Sequence, residues 1–258
     1  KVNFDTCITY DELDQWAHDP SFQTLVNQQL AASKALTLIC IGFNGKSHEI
    51  NTNPVANPLM QDVKRGWLWR LRQDHQEQVA GWAVGAVGTT IEAVKYGPAQ
   101  EYKNLDALVA DHTSQYIAEQ FQDRPDLVVV INKRTLDDKY FALVNGAGTT
   151  ATEIQAAGDI CVSTKRVGNL DAIGVPYFPE NTILITPLSN LSIYLHKYGK
   201  SRKEVDEADY DRVSNYESDN IDYVVEEPEA CVLIDNIQYG AKRPVNQPKA
   251  GYARFLQR

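Results

Sequence analysis

Phe22, Leu25, Val26, Leu30, Leu36 and Ile39 recur at three-to-four spacing and carry through to Phe43, the pattern of a helix with an apolar stripe. Asp19-Pro20 stands just ahead of the stripe as a capping residue followed by proline at the first helical position. A helix is therefore expected over 20–43, and its length of about 33 Å makes it the backbone of a domain. Gly42 and Gly45 sit where this rod is expected to stop, because glycine enters the left-handed conformation at little cost.

The same stretch closes with "GFNGKS", Gly42–Ser47, whose Gly-Lys-Ser resembles the end of a phosphate loop. A phosphate loop needs an earlier glycine four residues before Gly45's predecessor position, with a strand entering and a helix leaving. Counting back puts Cys40 at that place, and the residues before it continue a helix. Helix termination is the better reading of these residues than nucleotide binding. "GAGTTATE", residues 146–153, has Ala151 where a dinucleotide fingerprint needs its third glycine, and reads as a loop entering a short helix.

Other chemistry finds little support. The five histidines, His18, His48, His75, His112 and His196, are scattered with no paired metal-ligand spacing. His48-Glu49 and Asp74-His75 read as solvated surface. Asp137-Asp138 and Glu226-Glu227 are adjacent carboxylates, and a pair on a strand would point to opposite faces. Cys7, Cys40, Cys161 and Cys231 are 33, 121 and 70 residues apart, which suits isolated buried thiols in a reducing compartment. No catalytic, cofactor-binding or metal-binding residue is nominated, and no cofactor is expected.

The net charge of −9 argues against a protein that grips nucleic acid through a concentrated basic face. No apolar run reaches the roughly 18–20 residues of a membrane-spanning helix, and no membrane partner is expected. The chain begins at Lys1 without a Met or a signal-peptide layout, which reads as a chain that starts mid-protein.

Further elements follow from local pattern. Residues 6–17 suggest a strand running into a turn. Asn57-Pro58 with Leu59, Val63, Trp67 and Leu71 suggests a second helix, on which Trp67 faces inward, the arginines of 64–72 face outward and Trp69 falls off the stripe. Residues 80–100 read as a glycine-punctuated connector, and 102–121 as a third helix. "DLVVVIN", 126–132, has the continuous β-branched run of a strand buried on both faces. Residues 181–197 read as two strands around Pro187–Asn190, residues 199–213 as a charged solvated stretch, and 221–227 as a late strand. The class is mixed α+β without regular alternation. The tail 241–258, with five basic residues and no acidic one, reads as mobile or as an arm.

Six segments in this order, among them "CIGFNGKSHEINTNPVANPLMQDVKRGWLWRLR", "DKYFALVN", "STKRVGNLDAIGVPYFPENTILITPLSNLSIYLHK" and "DRVSNYESDNIDYVVEEPEAC", resemble the major capsid proteins of P-two-like temperate tailed bacteriophages. The resemblance covers roughly 6–237. It implies the Hong Kong 97 phage capsid fold. A peripheral domain would comprise 1–101, with a spine helix at 20–43 and the stub of an extended loop at 1–9, and 198–240. An axial domain would comprise 102–197, and 241–258 lies beyond the match. It implies a structural subunit that is not an enzyme. Copies would assemble into hexamers and pentamers with scaffold, maturation protease and portal proteins as partners, in the host cytoplasm and then the virion. Contact with packaged double-stranded DNA would be non-specific, against an acidic lining that holds it loosely. The competing readings are a nanocompartment shell of the same fold, a degenerate prophage remnant no longer assembled into virions, and an NTP-dependent enzyme using 42–47.

Overall fold

The computed structural model describes residues 1–16, 18, 21–81, 93–97, 100–145 and 165–239, with the side chains of 141–145 outside that set. The chain opens with β1 (Val2–Thr9), α1 (Tyr10–Trp16), α2 (Phe22–Asn44) and α3 (Trp67–Asp74). Then come β2 (Val79–Ala80), β3 (Val94–Tyr96), α4 (Leu105–Tyr116), α5 (Glu119–Gln122), β4 (Leu127–Asn132) and α6 (Lys133–Asn145). The remainder is β5 (Arg166–Val167), β6 (Leu170–Val175), β7 (Ile183–Pro187), β8 (Leu191–Leu195) and β9 (Ser201–Glu207). It ends with β10 (Arg212–Asp219), β11 (Ile221–Val225), β12 (Val232–Ile234) and β13 (Ile237–Tyr239).

The expected rod is one uninterrupted helix of 23 residues. It begins at Phe22, after Ser21, and not at Pro20; the Asp19-Pro20 signal itself lies outside the described residues. Gly42 is inside the helix, and Gly45 ends it with an ordinary φ of −63°, so neither glycine supplies a left-handed stop. The strand at the N-terminus runs into helix α1 and not a turn. Thr9 and Glu12 explain this as a capping box, the Glu12 amide donating to Thr9 Oγ1 at 3.3 Å and the Thr9 amide to Glu12 Oε2 at 3.1 Å.

The second helix starts at Trp67, nine residues later than Asn57-Pro58 predicts. Residues 45–66 instead form a loop that combines short local turns with backbone bonds across the loop. The Lys46 and Ser47 amides both donate to the Gln61 carbonyl, and buried Asp62 accepts from the Asn53 amide and the Asn57 side chain. Met60 is left-handed at φ 58°, which no helix accommodates. The third helix is broken into α4 and α5, because extended Ile117 is buried and the Ala118 amide is taken by the Glu229 carbonyl. The connector 80–100 contains β3 and the end of β2, with 82–92 outside the described residues. The charged stretch after Gly199 is exposed as expected but forms β9, the outer strand of a sheet.

A six-stranded mixed sheet, in order β2-β12-β7-β4-β6-β5, separates two cores. β4 pairs with β6 in parallel and with β7 antiparallel. Val130, Leu184 and Leu233 face the first core, where Ile41 and Phe43 of α2 meet Trp67, Leu68 and Leu71 of α3. Val129, Ile131, Ile183 and Ile185 face the second, against Leu105, Leu108 and Val109 of α4 and Leu136 of α6. Alternation along β4 thus serves both faces, as a continuous apolar run requires. The remaining strands form an antiparallel sheet β1-β10-β9, a pair β11-β8 and a parallel pair β13-β3.

Candidate assembly surface

The Gly42–Ser47 stretch is built for close packing. A Cβ on Gly42 would lie 2.3 Å from Trp67 Cζ3, one on Gly45 1.8 Å from the Lys64 carbonyl, and one on Gly66 2.2 Å from the Gly42 carbonyl. The three glycines let the end of α2 and the start of α3 touch backbone to backbone. The amides of Gly45, Lys46 and Ser47 donate to Ile41 and Gln61 carbonyls at 2.8, 2.7 and 3.0 Å. A phosphate cradle needs such N–H groups free and pointing at a ligand. Here they are consumed, and a helix enters the loop in place of a strand.

The histidines are not brought together. His48 Nδ1 lies 2.7 Å from the Val63 carbonyl, and His75 lies 3.5 Å from Glu77. His112 is buried beside Tyr102 and Tyr116, and His196 packs edge-on to Tyr198. His18 is exposed. Among the described residues no group of three His, Cys, Asp or Glu side chains could hold a metal ion. Asp137 takes Lys165, and Asp138 follows it on α6. Glu226 and Glu227 follow β11 and do not lie on it; Glu226 accepts from the Tyr194 hydroxyl, and a polar cleft of about 140 Å³ beside them is lined by Arg124, Ser189 and Asn190. Residues 146–153 lie outside the described set. Of the thiols, Cys40 and Cys231 are buried, and burial pushes them up to about 11 and about 12, whereas Cys7 is exposed, contrary to expectation. Cys161 lies outside the described residues.

Within 64–72 the inward Trp67 donates its indole N–H to the Ser192 carbonyl at 3.0 Å. The arginines do more than reach for water. Arg70 holds Asp222 with both carboxylate oxygens within 2.9 Å, and Arg72 holds Asp235 at 2.6 Å. Trp69, off the stripe, stacks under the Arg65 guanidinium at 4.5 Å.

The surface that distinguishes this molecule is the exposed length of α2. Cys40 to Phe43 sink into the first core, but most of α2 before Leu38 is exposed, including Leu25 and Leu36. Across its 23 residues Lys34 is the single charged side chain. Lys34 clamps the rod to the sheet β1-β10-β9 by holding Glu217 at 2.8 Å together with Asp219. Farther along, the Tyr223 hydroxyl donates to the Leu38 carbonyl at 2.9 Å. The Glu217 carboxyl is held below its ordinary value, mainly by the hydrogen bond from Lys34. Among the described residues, β1 and β9 each have one unpaired edge in that sheet, which offers rows of backbone donors and acceptors to another chain. An exposed, nearly uncharged rod beside a sheet whose outer strands each lack one partner among the described residues is a candidate surface for protein contact.

Comparison with known proteins gives the same direction. The family model described as phage major capsid protein, P2 family, matches residues 1–237. The "Capsid proteins" of Escherichia phage P2 are 40% identical over 241 residues, covering 93% of this chain and 67% of theirs. The "Major capsid protein" of Serratia phage KSP20 is 37% identical over 240 residues, covering 93% and 68%. A chain of the satellite phage P4 procapsid that includes the size determination (Sid) protein superposes with a TM-score of 0.81 at 40% identity, covering 93% of this chain and 71% of that one.

Proposed function

The chain belongs to the P2 family of phage major capsid proteins and has the Hong Kong 97 capsid fold, so it is a structural subunit of a multimeric virion shell and not an enzyme; from this we propose how the subunit is organised and used. Residues 1–101 and 198–240 make a peripheral domain around the rod, and 102–197 an axial domain that meets its copies at the centres of rings of six and five. Residues 241–258 form a basic tail outside this division. Scaffold, maturation protease and portal proteins act on the assembling subunits in the host cytoplasm. The finished shell touches packaged double-stranded DNA non-specifically, and the net charge of −9 keeps that contact loose.

The observation that carries this reading is the exposure of α2 ahead of Leu38 beside the open-edged sheet, while both cores are complete elsewhere. Several moderate contacts from such surfaces retain a subunit by multivalency even where each is weak. Electron microscopy of the complete protein co-expressed with its scaffold tests it. Closed particles with sixfold and fivefold clusters are expected, and a protein that stays monomeric with its scaffold would overturn the reading.

A further inference from the structure

Large apolar side chains outside the two cores gather at the turn between β8 and β9. Tyr194, Leu195 and Tyr198 are 55%, 64% and 83% exposed. Residues 194–203 carry four Lys or Arg and no carboxylate. The carboxylates near this end are engaged within the molecule: Glu226 by the Tyr194 hydroxyl, Asp222 opposite Tyr194 by Lys64 and Arg70, Glu217 and Asp219 by Lys34, with Glu217 also 3.2 Å from Lys200, and Glu204 by Arg202. Lys197 lies over the Tyr198 ring at 5.4 Å. Among the described residues neither Lys197 nor Lys203 has a carboxylate partner.

The opposite end of the same hairpin has the opposite sign. Residues 10–16 and 206–211 together hold seven Asp or Glu and no Lys or Arg, and the adjoining Arg212 is spent on Glu207 and lies over the Tyr210 ring at 5.0 Å. The fold joins them, the Tyr10 amide donating to the Asp211 carbonyl at 2.9 Å and the Tyr10 hydroxyl to Asp206. Among the described residues Asp11, Asp14, Asp209 and Asp211 have no cationic partner. Trp16 and Tyr210 stand exposed beside them, at 48% and 71%.

β9 holds the two ends apart by its seven residues, about 20 Å at the usual rise of a strand. That is more than twice the Debye length of about 8 Å at physiological salt, so the ends do not neutralise each other within one copy. We infer that the basic, aromatic end around 194–203 docks onto the acidic end of the same hairpin in a second copy of this chain. The contact is head-to-tail, the kind that closes rings when its rotation permits. Tyr and Trp at the centre with charged residues around them match the make-up of protein interfaces. Duplex DNA would meet the lysines, yet it offers phosphate and not an apolar surface for Leu195, and the acidic end repels it.

This inference rests on the reading that copies assemble into rings, and the experiment separates the two. The pairs Lys197→Glu with Lys203→Glu, and Asp14→Lys with Asp209→Lys, are made separately and together in the complete protein co-expressed with scaffold. All four side chains are exposed, so monomer melting temperatures are expected to stay at the unaltered value. Either pair alone is expected to lower particle yield about tenfold, and the four-residue exchange to restore most of it, because opposite signs again meet across the contact. Full yield from both single-pair variants, or no recovery in the four-residue variant, would overturn the inference. Failure of the unaltered protein to form particles would overturn the ring reading itself. Normal particles that lose only their DNA on reversal of the lysines would assign those lysines to nucleic acid and also overturn it.

Discussion

Replacing Gly42 by alanine sets two effects of opposite sign against each other. Gly42 lies within α2, two residues before its last residue. Helix propensity alone predicts that alanine there stabilises by about 1 kcal/mol. The packing predicts the reverse. The new methyl would stand 2.3 Å from Trp67 Cζ3 and 2.7 Å from Cε3, far inside contact distance. The indole has no room to withdraw: it is buried, its N–H is held by the Ser192 carbonyl, and Phe43 and Tyr223 press on it with ring centroids at 5.2 and 5.0 Å. Forcing extra volume into a filled core costs about 1–3 kcal/mol. Loss of the indole hydrogen bond, leaving the N–H of a buried Trp67 short of its partner, costs about 1–3 kcal/mol more. The net is a loss of about 3 kcal/mol, or a fall in melting temperature of about 6–12 °C for a chain of this size. Urea unfolding followed by tryptophan fluorescence measures it. A Gly42→Ala protein equal to or more stable than the unaltered one would refute the argument that these glycines exist for the helix crossing.

Acid should loosen the clamp between the rod and its sheet. The folded Glu217 carboxyl is lowered from 4.5, so its contribution is present above that value and fades as pH falls through the lower folded value; Lys34→Met is expected to flatten the fall in urea midpoint below about pH 4.5, and an unchanged profile would exclude the clamp as its source. In a Cys161→Ser protein at pH 7, maleimide should add once, at exposed Cys7, and spare Cys40 and Cys231, which burial keeps protonated; two or three adducts by mass spectrometry on the folded protein would contradict that burial. Mg-ATP at millimolar concentration should leave the melting temperature unmoved, since the amides of Gly45–Ser47 are already used, whereas a saturable rise would restore a nucleotide site.

The elements that were legible in the sequence are those whose neighbours along the chain decide their burial. The rod, the doubly buried β4 and the pair β7 and β8 around Pro187–Asn190 belong here. The false helix after Asn57-Pro58 shows the limit. Leu59, Val63, Trp67 and Leu71 do recur every four residues, but Val63 reaches the first core from a loop and Trp67 from a helix, so the period is a coincidence of two geometries. Strands of two or three residues, such as β2, β12 and β13, are too short to show any period and exist because β12, β7 and β3 in turn offer them edges. β9 was hidden by its charge, which is what an outer strand carries to discourage unwanted pairing. The acidic end was not legible, because 10–16 and 206–211 come together only through the pairing of β1 with β10.

A charge of −9 on every copy poses a physical question for a protein that must pack against itself. Net charge acts at long range, where like-charged copies repel. At contact the outcome is set by the groups that meet, and here the two ends of one hairpin present opposite signs over about 20 Å. Salt therefore pulls in two directions. At about 10 mM the screening length is about 30 Å, larger than the spacing of the two ends, and whole-molecule repulsion dominates. At about 1 M it is about 3 Å, and the attraction between the ends is lost as well. Assembly followed by light scattering is expected to be fastest between these limits, near the ionic strength of about 0.15 M at which the screening length, about 8 Å, exceeds a contact but not the hairpin. A rate that climbs steadily to 1 M salt would mean that apolar contact alone drives association, and the polarity of the hairpin would then have no part in joining one copy to the next.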